Sequence, residues 1–294
     1  MESSRVCRPI VLAAAFVCAC GKQEAAPARE ARASAPGVAV SAPAIGEWAP
    51  ELGSTLVVPS DTEDMAVVLY PVVTDANTIA TAKLALLTPG GDTVRALSKL
   101  AGLDSLHCGE VPVARLEQGA PMTWSVGLES AEATPVRTDS MESLSAADSA
   151  FYSVDLSRLA SAVAAEGTSG FTGLPFVVTT VRRMRLDRLE VVAAQLVRRV
   201  NQEANPLEER TLIIAERASG SRRARLALVH SERSEGSEDT AEHFEVLAAM
   251  RTPRTTLLIL ARDQLSSTTY EVLERAGMAP GSPWRVRWSR SVAC

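Results

Sequence analysis

Aromatic residues are scarce in this chain of 294 residues, at 4% of the sequence. Sugar-binding modules usually present aromatic platforms, so this scarcity argues against a carbohydrate-binding domain. Positive charge is not in excess either, because 30 Lys and Arg face 35 Asp and Glu, for a net charge of −5. Domains that bind nucleic acid typically carry a strongly basic face, so nucleic acid is not an expected partner.

Catalytic motifs are also missing. The chain has three histidines and lacks H-E-x-x-H, C-x-x-C, the P-loop and the dinucleotide-binding glycine pattern. The stretch GTSGFTG around Ser169 has Phe171 where G-x-S-x-G requires glycine, so it predicts a flexible loop between a helix and a strand. These absences favour a binding protein over an enzyme, and no cofactor is predicted.

Long apolar runs do not occur after residue 20, so no transmembrane helix is predicted there. The N-terminus places Arg5 and Arg8 before the apolar segment PIVLAAAFVCA, residues 9–19. Eleven residues are too few to cross a bilayer, but they fit the apolar region of a secretory signal peptide. The sequence therefore predicts an exported protein.

The end of this apolar segment resembles the lipobox of bacterial lipoproteins, with Val17, Cys18, Ala19 and Cys20 in its four places. The resemblance implies that a signal peptide, residues 1–19, is removed and that Cys20 carries a diacylglyceryl thioether, which anchors the protein to a membrane. Gly21 stands where the inner-membrane retention signal has Asp, which favours the outer membrane of the cell envelope. The alternative is an ordinary signal peptide with a cysteine nearby by chance.

Residues 20–47 are rich in Ala and Pro and hold little that could form a core, so they predict a disordered tether behind the anchor. Residues 48–294 then form the globular domain. The polar, turn-rich stretch 131–150 is the candidate boundary if that domain is divided. Two cysteines remain in the domain, Cys108 and Cys294, and an exported protein is expected to join them in a disulfide. The alternative is a buried free Cys108 and a frayed Cys294.

The periodicity of the domain predicts an α+β fold, an antiparallel sheet packed by helices on one face. Short β-branched runs predict strands. Four segments with helical spacing or capping residues predict helices: residues 93–102, residues 155–167, a long helix from Asp187 to Pro206, and a last helix from Thr268 to Gly277. Between the last two helices, four apolar runs predict an antiparallel meander, and Trp284–Arg290 predicts an edge strand. Trp48, Trp284 and Trp288 are predicted core residues.

One constellation could carry metal chemistry. If the runs around residues 226 and 245 pair as a hairpin, His230, Glu232, His243 and Glu245 lie at its end, where imidazole and carboxylate could ligate a divalent ion such as zinc. The alternative is an exposed acidic hairpin tip with incidental histidines.

A second constellation is a set of arginines that could meet anionic lipid, lipopolysaccharide or an acidic partner. Its alternative is a solvated helix face. The set comprises Arg182, Arg183, Arg185, Arg188, Arg198 and Arg199.

Taken together, the residues predict a membrane-anchored envelope lipoprotein with a non-catalytic domain that binds a protein or a ligand, an envelope protein being the expected partner. The alternative function is a lipid-anchored hydrolase or metal-dependent enzyme that uses His230 and His243.

Overall fold

A computed structural model describes most of the chain after the predicted tether. The described residues are 45–62, 64–71, 82–106, 109–116, 123–129, 132–163, 169–200, 207–221, 223–235, 242–264 and 266–293. All of them belong to one compact unit, Val38–Cys294. These residues form seventeen strands: β1 (Ile45–Gly46), β2 (Leu56–Pro59), β3 (Met65–Tyr70), β4 (Ala82–Leu87), β5 (Thr93–Leu106), β6 (Gly109–Leu116), β7 (Val126–Glu129), β8 (Thr134–Pro135), β9 (Thr138–Ser140), β10 (Val177–Leu186), β11 (Leu189–Val200), β12 (Leu207–Ala218), β13 (Arg225–Glu235), β14 (His243–Arg251), β15 (Thr256–Gln264), β16 (Ser267–Arg275) and β17 (Trp284–Ala293).

The predicted α+β class is wrong, because the described chain is mostly β-structure in three antiparallel sheets. Its one α-helix is α1 (Ala146–Val163), which overlaps the helix predicted at 155–167. The other three predicted helices are the strands β5, β11 and β16. The predicted meander is wrong as well, since β12 and β13 lie in one sheet while β14 and β15 lie in another.

Three sheets are stacked as layers. Strands β2-β3-β6-β5-β4-β7 close into a small barrel, which we call the barrel. The order β1-β17-β16-β15-β14-β8 forms the central sheet, and the order β13-β12-β11-β10-β9 forms the outer sheet. Helix α1 is the fourth layer, because its buried face packs on the outer sheet.

The central sheet is buried on both faces. Along β15, Leu257 and Ile259 pack toward the barrel, while Leu258 and Leu260 pack toward the outer sheet. All four side chains are at most 1% exposed. A strand buried on both faces is apolar at every position, which is why the sequence TLLILA shows no alternation.

Strand β11 is buried on both faces in the same way. Val191 and Ala193 face the central sheet, and Val192, Ala194 and Leu196 face α1. Because these adjacent residues are all apolar, the run also contains apolar residues at helical spacing. The helix predicted from Asp187 to Pro206 is therefore wrong. Asp187, predicted as a helix cap, instead has a φ of 52° in the tight turn between β10 and β11, a conformation that Asp tolerates.

The predicted tryptophan core is confirmed. Trp284 and Trp288 are 4% and 2% exposed, and the ring of Trp48 stacks on Tyr70 with centroids 4.1 Å apart. The C-terminal strand β17 was predicted at a sheet edge but is one strand in from it, since the two-residue β1 pairs beyond it.

Several hairpin loops meet at one end of the central and outer sheets. They are the β10–β11 turn, the β12–β13 turn, the loop after β14 and the loop between β16 and β17. The amide of Ser219 donates a hydrogen bond to the carbonyl of Arg188 (2.7 Å), which joins the first two. Thr255 Oγ1 donates to the Arg275 carbonyl (2.7 Å), which joins the last two. Loops held together on a rigid scaffold are a common place for binding sites.

Candidate functional site

The predicted metal constellation depends on a hairpin that does not form in the described part of the chain. Strand β13 pairs with β12, placing His230 opposite Leu212, and β14 pairs with β15, placing His243 opposite Asp263. The His230 ring contacts Phe244 edge-on, with centroids 5.4 Å apart. Successive strand residues point to opposite faces, so His243 points away from the side where His230 lies.

No group of three or more metal-ligating side chains is found among the described residues. The side chain of Glu232 lies outside them, as do Cys20, Cys108 and Cys294. His243 and Glu245 are both exposed. The histidines and carboxylates singled out from the sequence are thus not brought together as one described site.

The predicted arginine patch is divided between several environments. Arg198 is buried and ion-paired with Glu209, and its guanidinium lies over the rings of Phe171 and Phe176 at 4.8 and 4.6 Å. Arg183 donates to Asp139 Oδ2 at 2.6 Å. These two arginines are committed to contacts within the domain.

The remaining four arginines of that set differ in exposure. Arg199 is paired with Glu208, and Arg182 is half-buried. Arg185 and Arg188 are exposed. Only Arg188 lies among the hairpin loops described above, so the six arginines form no single anion-binding surface.

A charged cluster around one buried carboxylate, which the sequence analysis missed, lies at the end of β14 opposite those loops. Glu242 is 2% exposed; its Oε1 accepts a hydrogen bond from Gln264 and lies 3.5 Å from Arg262 Nη1. Its Oε2 lies 3.5 Å from His230 Nε2. Arg262 Nη2 lies 3.6 Å from Glu271 Oε1. The cluster fastens the outer sheet to the central sheet.

Glu271 in this cluster has a perturbed ionisation. Burial raises the pKa of its carboxyl, and the positive charge of Arg262 opposes that change. Nearby His230 also lowers the pKa of Glu271, while the carboxylate of Glu242 raises it. The protonation of this partly buried glutamate is therefore coupled to three charged or titratable neighbours.

Arg182, His243 and Glu245, which the sequence singled out in separate groups, line the same small cavity. Its volume is about 210 Å³, and the buried Gln195 lies in its wall. Gln195 Oε1 accepts a hydrogen bond from the Phe244 amide (3.1 Å), so its acceptor is already engaged. Pockets for organic ligands usually start near 300 Å³, and this cavity is smaller.

A larger concave site, which we call the loop-end cleft, lies where the hairpin loops meet. Its volume is about 610 Å³, within the ordinary range for ligand pockets. Its charged lining comprises Asp187, Arg188, Arg251, Arg254 and Arg275, and its apolar lining includes Leu189, Pro253, Met278 and Pro280.

The floor of the loop-end cleft is fixed by a fully buried carboxylate. Glu216 on β12 is 0% exposed and accepts two hydrogen bonds from Arg275, Nε to Oε1 at 2.7 Å and Nη2 to Oε2 at 2.8 Å. Trp284 Nε1 and the amide of Gly281 each donate to the same carboxylate at 2.8 Å. Arg275 Nη2 also donates to the carbonyl of Ala279 (2.7 Å). These bonds hold the β16–β17 loop in place.

A second wall is a tight turn after β14. Thr252 Oγ1 accepts hydrogen bonds from the amides of Arg254 (3.2 Å) and Thr255 (2.9 Å). Such turns orient the backbone through a threonine hydroxyl. Arg254 is therefore presented from an ordered turn with its side chain exposed.

The four arginines of the cleft differ in how they are neutralised. Arg275 is paired with Glu216, and Arg251 Nη1 lies 3.1 Å from Asp187 Oδ1 at the exposed rim. Arg188 and Arg254 form no ion pair with any carboxylate among the described residues. The loop-end cleft thus offers two exposed guanidinium groups beside an apolar wall, which suits a ligand that carries negative charge.

Sequence reasoning missed this site because its arginines come from three hairpin loops that are far apart in the chain. The sequence segments that hold them, DR, RTPR and ERAG, predicted the start of a helix, a connecting loop and the end of the last helix. The signal available was the repeated occurrence of arginine in hairpin connections.

Comparison of the chain with protein-family models, with curated proteins and with solved structures found no match. The described residues include no helix with the length and apolar character needed to span a bilayer.

Proposed function

We propose that this protein is a lipid-anchored protein of the bacterial cell envelope that acts by binding, and that the loop-end cleft is its binding site. The cleft carries the proposal: Arg188 and Arg254 present cationic side chains, unneutralised by any described carboxylate, in a concavity of about 610 Å³. The ligand or partner is expected to be anionic at the point of contact.

The lipid anchor is supported by the resemblance of Val17–Cys20 to a lipobox. Two or more acyl chains suffice for stable attachment to a membrane, whereas one is marginal. The composition of residues 21–44 would let a domain that begins near Ile45 stand away from the lipid head groups.

The walls of the loop-end cleft are held by internal hydrogen bonds, which favours a preformed binding site over an active site closed by a mobile lid. Glu216 and Arg275 are buried and fully engaged with their neighbours, and Thr252 orders the turn that bears Arg254. Preformed sites lose less entropy when they bind. The alternative of a metal-dependent enzyme needs His230 and His243 in one site, and their positions on opposite sides of β14 do not favour it.

Metabolic labelling with an alkyne fatty acid tests the anchor. The wild-type chain should incorporate the label and Cys20→Ala should not, because the proposed thioether forms on the Cys20 sulfur. Cys18→Ala is the matched control, since it alters the neighbouring cysteine of the lipobox and should keep the label. An unlabelled wild-type protein, or loss of label in Cys18→Ala alone, would contradict the assignment.

Crosslinked affinity capture from detergent-solubilised envelopes tests the binding site. The full-length protein should capture a stoichiometric component, and Arg188→Glu with Arg254→Glu should lose it. The pair Arg137→Glu with Arg158→Glu makes the same charge change at exposed arginines outside the cleft and should retain it. Equal capture by both double variants would exclude the loop-end cleft as the binding site.

A further inference from the structure

We propose that the loop-end cleft binds the phosphate group of an anionic membrane lipid, so that the domain docks its loop end on the bilayer that holds its anchor. This inference rests on the proposed lipid anchor and names the ligand of the proposed binding site.

Positive charge is concentrated at the loop end of a chain that is acidic overall. Arg223 and Arg225, at the start of β13 and its preceding turn, are exposed and add to Arg188 and Arg254. Gly281 of the β16–β17 loop lies against Arg225, which places that arginine beside the cleft. None of these four arginines has an ion-pair partner among the described residues, although the whole chain has a net charge of −5.

An apolar side chain projects from the same end. Met278, in the β16–β17 loop, is 87% exposed and lines the loop-end cleft with Leu189 and Pro280. The loop that bears it is fixed by Glu216, so Met278 is held in an exposed position. Cationic residues that surround a projecting apolar side chain suit the boundary between lipid head groups and acyl chains.

Two exposed carboxylates lie at the opposite end of the domain. Glu245 and Asp263 are exposed there, at the far ends of β14 and β15. The nine residues of β14 separate the two ends by roughly 27 Å, since a strand rises about 3.4 Å per residue. An anionic surface would attract the unpaired arginines of the loop end and repel Glu245 and Asp263, which favours one orientation.

The length of the segment behind the anchor allows such docking. The described chain starts at Ile45, which pairs with Ser289 on β17, and β17 begins at Trp284 beside the β16–β17 loop. The five residue-to-residue steps from Trp284 to Ser289 correspond to roughly 17 Å of strand. A coil of the 24 residues from 21 to 44 spans ~30 Å, so Cys20 and the cleft can reach one bilayer.

Hydrogen exchange on the full-length lipidated protein in vesicles tests the proposal. One vesicle contains equal parts of phosphatidylglycerol and phosphatidylcholine, and the other contains phosphatidylcholine alone. We expect the backbone amides of residues 252–256 and 276–283 to be protected only in the first. Arg188→Glu with Arg254→Glu should lower the docking equilibrium constant by at least roughly 30-fold, while Arg137→Glu with Arg158→Glu should leave it unchanged.

The two proposals fail in distinguishable ways. A wild-type protein that does not float with either vesicle contradicts the anchor. A protein that floats with both but shows equal exchange in both overturns the docking proposal and leaves the anchor standing. Protection in pure phosphatidylcholine on adding soluble glycerol phosphate would also overturn it, because the cleft would then be a site for a free phosphate compound. If the double glutamate variant is misfolded by circular dichroism, Arg188→Gln with Arg254→Gln takes its place.

Discussion

The carboxylate of Glu216 on β12 and the guanidinium of Arg275 on β16 meet in a two-point ion pair, with N–O distances of 2.7 and 2.8 Å. The pair joins the outer sheet to the central sheet and lies under the loop-end cleft. Both side chains are buried, so neither charge can be compensated by water if the other is removed. The position of the β16–β17 loop therefore depends on this ion pair, on the two further donors to Glu216 and on the bond from Arg275 to the Ala279 carbonyl.

Replacement of Glu216 by Gln should lower the free energy of unfolding by about 3–5 kcal/mol, since it leaves the buried Arg275 without its counter-charge. Urea unfolding of the full-length protein measures the change. Arg285→Gln is the matched control, because it removes an exposed ion pair with Glu274 and should cost at most about 1 kcal/mol. Similar losses in the two variants would contradict the role assigned to Glu216.

Leu258→Ala tests the layered architecture. Leu258 is 0% exposed between the central and outer sheets, so truncation should leave a cavity and cost about 2–5 kcal/mol. Val154→Ala, at a helix position that is 72% exposed, should change stability by no more than about 0.5 kcal/mol. An unchanged stability of Leu258→Ala would mean that the outer sheet does not cover that face of the central sheet.

Glu271→Gln tests the charged cluster around Glu242 through the pH dependence of the free energy of unfolding. Because the pKa of Glu271 is raised in the folded protein, the folded state keeps this proton at pH values where the unfolded chain has released it. The free energy of unfolding therefore falls as the pH rises from the ordinary value of 4.5 through the raised pKa. The amide cannot titrate, so the variant should lack this decrease.

The measurement is urea unfolding of both proteins over a series of pH values on either side of 4.5. His230, Glu242 and Arg262 are present in both, so the difference between the two curves isolates Glu271 to first order. That difference should grow with pH across the window. Parallel curves would show that burial does not perturb this carboxyl.

The disulfide expected between Cys108 and Cys294 stays a prediction from the sequence. Alkylation of the denatured protein before reduction should leave both cysteines unmodified, and mass spectrometry should find one linked peptide that reduction separates. Because the loop closed by such a bond is long, its loss could cost up to ~5 kcal/mol in the chain-entropy model. Alkylation of both thiols without reductant would rule the bond out.

Strands could be predicted from the sequence where an apolar or β-branched run is bounded by residues that end a strand. The runs around Leu56, Met65 and Ala82 are β-branched or apolar and bounded by Pro, Asp or Ser, and each forms a strand. Helices could not be predicted in the same way, and three of the four predicted helices are strands. Val191 to Ala194 are apolar at every position because two layers cover β11, and a continuous apolar run does not distinguish a helix from a doubly buried strand.

The capping residues of the last predicted helix also gave a wrong prediction, because their side chains have partners on a neighbouring strand. Thr268 and Glu271 have the spacing of a capping box, but in β16 the hydroxyl of Thr268 donates to Asp263 across the hairpin and Glu271 approaches Arg262. The same side chains can satisfy either a helix end or a neighbouring strand. Which sheets stack, and therefore which loops meet, depends on long-range packing, so the loop-end cleft could not be derived from local patterns.

Photocrosslinking from position 278 in intact envelopes tests most directly whether the loop-end cleft is the binding site. A photoreactive amino acid at Met278 should give one specific crosslinked product, and the same group at Val154, which is also exposed but lies on α1, should not. The product should be lost when Arg188 and Arg254 are both changed to Glu. A crosslinked anionic lipid would match the docking proposal, and a protein product would place a protein partner in the cleft. Equal crosslinking from both positions, or none from 278, would contradict the assignment of the cleft as the binding site.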